Sequence, residues 1–201
     1  MEPKTRIIKS AIKLFLLKGY DATSMSDVVT ESQISKGGIY HHFKNKEDLF
    51  LQCIDFMFSE FENWEKSIYA QAPDLKNIVR SHFTSLAQIQ DFVCELSDSS
   101  EVDVDSFYLL MMEAFTKFPE VKQMHTQVHH QSMDFFTDML RQAQQQGIIR
   151  QELDCATIGF MIYALAEGTV IHHILSKKID LAEMGQKLFE TIWNGISTEN
   201  V

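Results

Sequence analysis

Proline and glycine are in short supply in this sequence, with three and eight in 201 residues. A sheet protein of this length needs turn residues at frequent intervals, so their scarcity excludes a strand-rich fold and leaves long stretches suited to helices. Cysteine is also sparse. Cys53, Cys94 and Cys155 are odd in number and share no close spacing, which speaks against a disulfide framework. With no charged-then-apolar leader, the expected setting is reduced and cytoplasmic. No uninterrupted apolar run reaches membrane-spanning length, so no membrane partner is expected. Nucleophile elbow, Walker-type glycine loop and dinucleotide fingerprint are all missing, so an enzyme is not expected and no cofactor is called for.

What is present is a hydrophobic content of 45%, enough for an ordinary globular core. The net charge of -10 disfavours a polyanionic partner until it is divided along the chain. Residues 1–50 carry eight Lys/Arg against six Asp/Glu, and the other 151 carry ten against twenty-two. That asymmetry suggests an end that faces nucleic acid and a body that faces something else.

In the first segment, Ile8, Ala11, Ile12 and Phe15 fall on one helical stripe, predicting a helix from about Thr5 to Lys18 that ends at Gly19. Ser24 is placed to cap a second, short helix, with Asp27 as its acidic partner, ending near Ser32. Ser35 is placed to cap a third, in which Ile39 and Phe43 face inward. Two short helices joined by a tight turn and braced by a longer one form a helix-turn-helix unit. The outer side of the third helix supplies Ser35, Lys36, Gly37, Gly38, Tyr40 and His41, with Lys44 and Lys46 beyond. These are groups that hydrogen-bond phosphates and base edges. Two glycines cost helix stability, about 1 kcal/mol each relative to Ala, and let backbone approach a groove wall closely.

The run "AIKLFLLKGYDATSMSDVVTESQISKGGIYHHFKNKEDL", Ala11 to Leu49, closely resembles the N-terminal domain of TetR-type (tetracycline repressor-like) transcriptional regulators. The resemblance implies an all-α homodimer: an N-terminal three-helix helix-turn-helix domain, residues 1–48, then an antiparallel helical-bundle domain for ligand binding and dimerisation, residues 49–201. It implies DNA contacts from Ser24 and Ser26 on the second helix, and from Ser35. Lys36, Gly37, Gly38 and His41 would face the groove, with Tyr40, His42 and Lys46 as phosphate anchors. Gln33 departs from the family, which often has Gly at that turn position.

Beyond residue 48, a fourth helix runs toward Pro73, and helical segments are expected near residues 75–95, 105–116, 119–146, 155–176 and 181–196, about nine helices in all. "SDSSEVDVD", residues 97–105, reads as the clearest loop. Gly168 reads as a small residue permitting close helix approach. The last two helices, carrying Ile158, Met161, Ile162, Leu165, Gly168, Ile192, Trp193 and Ile196, are the ones that resemblance assigns to the dimer interface. Adaptable apolar residues are candidates to line a pocket for an apolar or aromatic effector: Phe83, Met111, Phe115, Met133, Phe136 and Tyr163, with His129 and Glu167. His125 and His129, four residues apart, open an alternative as a metal-responsive pair completed by Glu113, Glu167 or His172. A helical protein-interaction module is a further alternative. The leading expectation is a repressor that binds a palindromic double-stranded DNA operator as a dimer and is released by a small molecule.

Overall fold

The computed structural model describes residues 2–198. The described chain folds as ten α-helices: α1 Pro3–Ala22, α2 Met25–Ser32, α3 Lys36–His42, α4 Lys46–Tyr69, α5 Leu75–Thr84, α6 Ile89–Ser97, α7 Val104–Lys117, α8 Pro119–Gln145, α9 Cys155–Ser176 and α10 Leu181–Ile196. The all-α architecture is as the sequence predicts. The segment expected near 75–95 is two helices, because a 3₁₀ turn at Ser85–Gln88 interrupts it. By contact the chain divides into two compact units, Met1–Glu62 with Ile89–His125, and Asn63–Gln88 with Thr126–Val201.

In the first unit, α1 buries Ile8, Ala11, Ile12 and Phe15, the stripe expected from the spacing, and Ile7, Leu14 and Leu16 beside it. Helical geometry breaks at Gly19, whose φ of 77° suits a residue without a Cβ. A Cβ there would stand 3.3 Å from the Glu113 carboxylate. Tyr20 then turns back into a cluster with Phe15, Phe50 and Phe118. Its backbone N–H donates to Glu113 Oε2 at 3.1 Å, so α7 grips the chain where α1 ends. The acidic 97–105 segment is anchored through Val102 and Val104, both buried. Gln90 accepts from the Val104 N–H and donates to the Val102 carbonyl.

In the second unit, α10 packs on α5 so closely that a Cβ at Gly185 would meet the Phe83 carbonyl oxygen at 2.3 Å. A second close approach joins α9 to α8, with Gly159 against Thr137. Gly168, expected to permit such an approach, has no neighbour within 4 Å of where a Cβ would lie; the close contacts fall at Gly159 and Gly185 instead. The end of α10 is tied down by a bridge between Ile149 and Ser197. The Arg150 guanidinium reinforces it by donating to the Ser197 and Asn194 carbonyls.

The pattern within α9 departs most from expectation. Cys155–Ser176 carries a single charged residue, Glu167, and is long and apolar enough by length and composition alone to cross a membrane, where no run of membrane-spanning length is expected from the sequence. A helix apolar on all sides needs cover on all sides. Within the chain, one side of α9 is covered: Ile158, Ile162, Tyr163, Ala166 and Val170 are buried. Phe160, Met161, Ile171 and Leu175 are exposed, Leu175 at 75% and Phe160 at 55%.

Candidate functional site

The exposed face of α3 is built by its neighbours. Ser24 and Asp27 form a reciprocal capping box, with the Ser24 hydroxyl accepting from the Asp27 N–H at 3.1 Å and Asp27 Oδ2 accepting from the Ser24 N–H at 2.8 Å. The Ser24 hydroxyl also donates to Asp27 Oδ2, so both of its hydrogen-bonding functions are engaged inside the chain. Gln33 adopts the left-handed conformation at φ 55° and makes the turn without glycine. Ser35 then caps α3 by accepting from the Gly38 N–H at 3.2 Å. Ile39 and Phe43 are buried, which leaves Lys36, Gly37, Tyr40 and His41 exposed on the opposite side.

The two glycines differ. A Cβ on Gly37 would meet nothing within 4 Å, whereas one on Gly38 would stand 2.8 Å from Ile34 Cγ2 and 3.3 Å from Ser35 Oγ. Gly38 is therefore required by the turn itself. Gly37 has no internal reason to be glycine, and its bare backbone faces outward. Gly37→Ala should keep the wild-type melting temperature within a few degrees and weaken duplex binding about tenfold, as expected when one added methyl group blocks a close approach. Equal affinities in a fluorescence-anisotropy titration would rule out approach at this residue.

Tyr40 is 45% exposed and has the Lys36 ammonium 5.9 Å from its ring centre. The His41 and His42 rings lie edge to face at 5.0 Å, and His42 is half-buried beside Phe43. Ser26 is exposed on α2. Lys46, expected as a phosphate anchor, is engaged internally: its ammonium donates to the Tyr20 carbonyl at 2.9 Å and the Asp21 carbonyl at 3.4 Å, and sits 4.2 Å from the Tyr20 ring centre. Its first task is to close the Gly19–Asp21 turn.

The residues expected to line a pocket do not all meet. Met111 and Phe115 belong to the first unit, where the Phe115 ring lies 4.8 Å from that of His125. Glu167 is exposed on α9. Phe83, His129, Phe136 and Tyr163 come together in the second unit, and Met133 contributes backbone beside Gly159. At their centre are three residues that the sequence reading did not single out: Glu65, Tyr69 and His82. Glu65 is only 8% exposed and accepts hydrogen bonds from the Tyr69 hydroxyl at 3.1 Å and the Tyr163 hydroxyl at 3.4 Å. Burial and the Glu65 charge together push both phenols well above the usual tyrosine range.

The Tyr69 oxygen also lies 2.8 Å from His82 Nδ1. Its single proton goes to the carboxylate, the stronger acceptor, so His82 Nδ1–H donates to Tyr69 and Nε2 is left as a bare lone pair. Nε2 is buried with no hydrogen-bond partner. Burial alone lowers the His82 pKa to about 4, so the ring is neutral at pH 7. An orphaned buried acceptor costs on the order of 1–3 kcal/mol, which marks this position as unusual for a packed core. A signal for Glu65 was present in the sequence: Met57, Phe61, Glu65 and Tyr69 follow at four-residue steps, placing an acid on an otherwise apolar stripe.

Among the described residues no group of three or more His, Cys, Asp or Glu is arranged to hold a metal. Of the residues expected to complete a histidine metal pair, Glu113 holds Tyr20 and Lys117, while Glu167 and His172 are exposed on α9. His125 packs on Phe58 and Phe115, and His129 lies 5.9 Å from the Tyr163 ring.

Residues 7–53 match the family described as bacterial regulatory proteins, tetR family. The chain is 32% identical over 123 residues to an uncharacterized HTH-type transcriptional regulator, YerO, of Bacillus subtilis, covering 56% of this chain and 43% of that protein. It is 42% identical over 67 residues to the HTH-type transcriptional regulator QacR of Staphylococcus aureus, covering 33% of this chain and 36% of that one. The match thus spans less than half the length of these two relatives. In structure it is similar to a TetR-family transcriptional regulator from Cytophaga hutchinsonii, with a TM-score of 0.79 at 19% identity, covering 98% of this chain and 96% of the other. That likeness extends the shared fold beyond the segment matched by sequence.

Proposed function

We propose, from the match of residues 7–53 to the tetR family, that the chain is a TetR-type transcriptional regulator: a cytoplasmic repressor, binding a palindromic operator as a homodimer and released by a small-molecule effector. Residues 1–48 act as the DNA-binding part and residues 49–201 as the effector-binding and dimerisation part. The observation that carries the DNA-binding reading is the exposed face of α3, where Lys36, Tyr40 and His41 surround the open backbone of Gly37. Gly37 approaches the groove wall, Lys36 and His41 reach base edges, and Tyr40 with Ser26 and Ser35 fixes phosphate register.

The dimer face proposed here differs from the residues first assigned to it. Ile158, Ile162, Trp193 and Ile196 are buried within the protomer and cannot meet a partner. Phe160, Met161, Ile171 and Leu175 remain uncovered, with Leu165, Gly168 and Ile192 partly exposed. A two-fold axis beside this stripe buries it against its own copy and spaces two α3 helices for two half-sites.

Binding to operator duplex at several salt concentrations tests the reading. The logarithm of the affinity should fall linearly with the logarithm of salt, because phosphate contacts release counterions. Tyr40→Ala should weaken binding on every sequence by about tenfold. Salt-independent binding, or full affinity in Tyr40→Ala, would contradict the docking.

A further inference from the structure

Resting on the DNA-binding reading above, we infer that Glu113 and Lys117 of α7 are positioning residues for operator binding, because they hold the turn that sets both ends of the recognition segment. Both lie outside residues 7–53, the part matched to the family. Where α1 breaks at Gly19, the Tyr20 N–H donates outside the helix, and Glu113 Oε2 accepts from it at 3.1 Å across 93 residues. Glu113 Oε1 pairs with the Lys117 ammonium at 2.9 Å, and Lys117 pairs in turn with Asp21. A carboxylate accepting from a backbone N–H makes a stronger hydrogen bond than a neutral acceptor does. The turn is thus fixed by α7 at a backbone donor and at an acidic side chain.

On the entry side, Thr23 is buried; its N–H donates to the Tyr20 carbonyl at 3.3 Å and its hydroxyl to the Gly19 carbonyl at 2.9 Å. Ser24, the cap of α2, follows directly, so no slack lies between turn and helix. On the exit side, Phe43 ends α3 and Lys46 opens α4, its ammonium donating to the Tyr20 and Asp21 carbonyls. Residues 24–45 are therefore held at both ends by Gly19–Asp21, and α7 holds Gly19–Asp21. Neither Glu113 nor Lys117 needs to touch DNA for this. Base-edge hydrogen bonds require donors placed to within roughly 0.5 Å, whereas non-specific binding rests on phosphate charge, so loosening the turn costs sequence-specific affinity first.

Fluorescence-anisotropy titrations of the full-length protein test this with two duplexes, one selected from a random pool by the wild type and one scrambled to the same composition. Glu113→Ala should bind the selected duplex about tenfold more weakly, the scale of one lost hydrogen bond to a charged group, and the scrambled duplex as the wild type does. Its affinity should keep the wild-type slope against salt, because no phosphate contact is lost. Glu113→Gln keeps an oxygen for the Tyr20 N–H and should recover most of the lost affinity. Lys117→Met should weaken binding to the selected duplex with the same unchanged slope; a slope flattened by about 0.9 would make Lys117 a direct phosphate contact and overturn its positioning role. Equal losses on both duplexes, or Glu113→Gln no better than Glu113→Ala, would overturn the inference. Lys117→Met removes no backbone partner, so it keeps the test open should Glu113→Ala fail to fold. If the wild type shows no salt-dependent duplex binding, the DNA-binding reading itself fails; wild-type binding with undiminished variants overturns this inference alone.

Discussion

The double variant Phe160→Glu/Leu175→Glu should be a folded monomer whose operator affinity is about a thousandfold below wild type. Both side chains are exposed within the protomer, so charging them leaves its core packing untouched. Two carboxylates on each of two facing α9 helices, by contrast, put like charges into a desolvated apolar seam. The loss in DNA affinity follows from geometry. Each protomer offers one short α3, and a dimer binds its second half-site as an intramolecular event, a gain of roughly 10²–10⁴ that a monomer forfeits. Sedimentation and an operator titration measure the two effects separately. A dimeric variant would remove the α9 stripe as the interface, and a monomer with undiminished affinity would remove dimerisation from DNA binding.

Acidification should destabilise the protein through His82. Its folded pKa of about 4 lies below the unfolded value near 6.5, so between those values the unfolded chain binds more protons. The stabilisation is fully present above pH 6.5 and is lost as the pH falls toward 4. A shift of about 2.5 units at 1.36 kcal/mol each amounts to roughly 3 kcal/mol, without a discount for solvent because the ring is 8% exposed. The groups facing the ring are Glu65 through Tyr69, and the phenols of Tyr69 and Tyr163, neither of which titrates in this range. Asp27, Asp48 and Asp154, whose pKa values are lowered by local hydrogen bonds, act in a lower window: their contributions are present above the usual carboxylate range and fall away below it. Urea unfolding of wild type and His82→Gln between pH 7 and pH 4 should show the wild type losing about 3 kcal/mol more than the variant. Parallel pH profiles would mean that His82 titrates alike in the folded and unfolded chain, and would overturn the burial effect.

The helix-turn-helix segment was legible in the sequence for a local reason. Capping pairs such as Ser24 with Asp27 and Ser35 with the Gly38 N–H act over three residues, and the Ile39/Phe43 pair over four, so spacing alone specifies them. Even there, spacing could not divide the glycines. Gly38 is fixed by the packing of Ile34 and Gly37 is left open, a distinction between two residues of the same type that only three-dimensional neighbours make. Lys46 shows the same limit, since its hydrogen bonds reach back 25 and 26 residues to Asp21 and Tyr20.

Along α9 the sequence offers apolar residues on every side, so composition does not say which side turns inward. Contact decided that Ile158 and Ile162 are core and that Phe160 and Leu175 are surface. The Glu65 cluster is farther still from local rules. Its members come from α4, α5, α8 and α9, and the Glu65–Tyr163 hydrogen bond closes a separation of 98 residues. By itself the sequence determined the helices, their caps and the kind of face α3 presents, because each depends on neighbours within one or two turns. Tertiary structure decided which aromatic residues meet, which acid is buried among them and which face of α9 stays uncovered, because burial is a property of the whole packed chain.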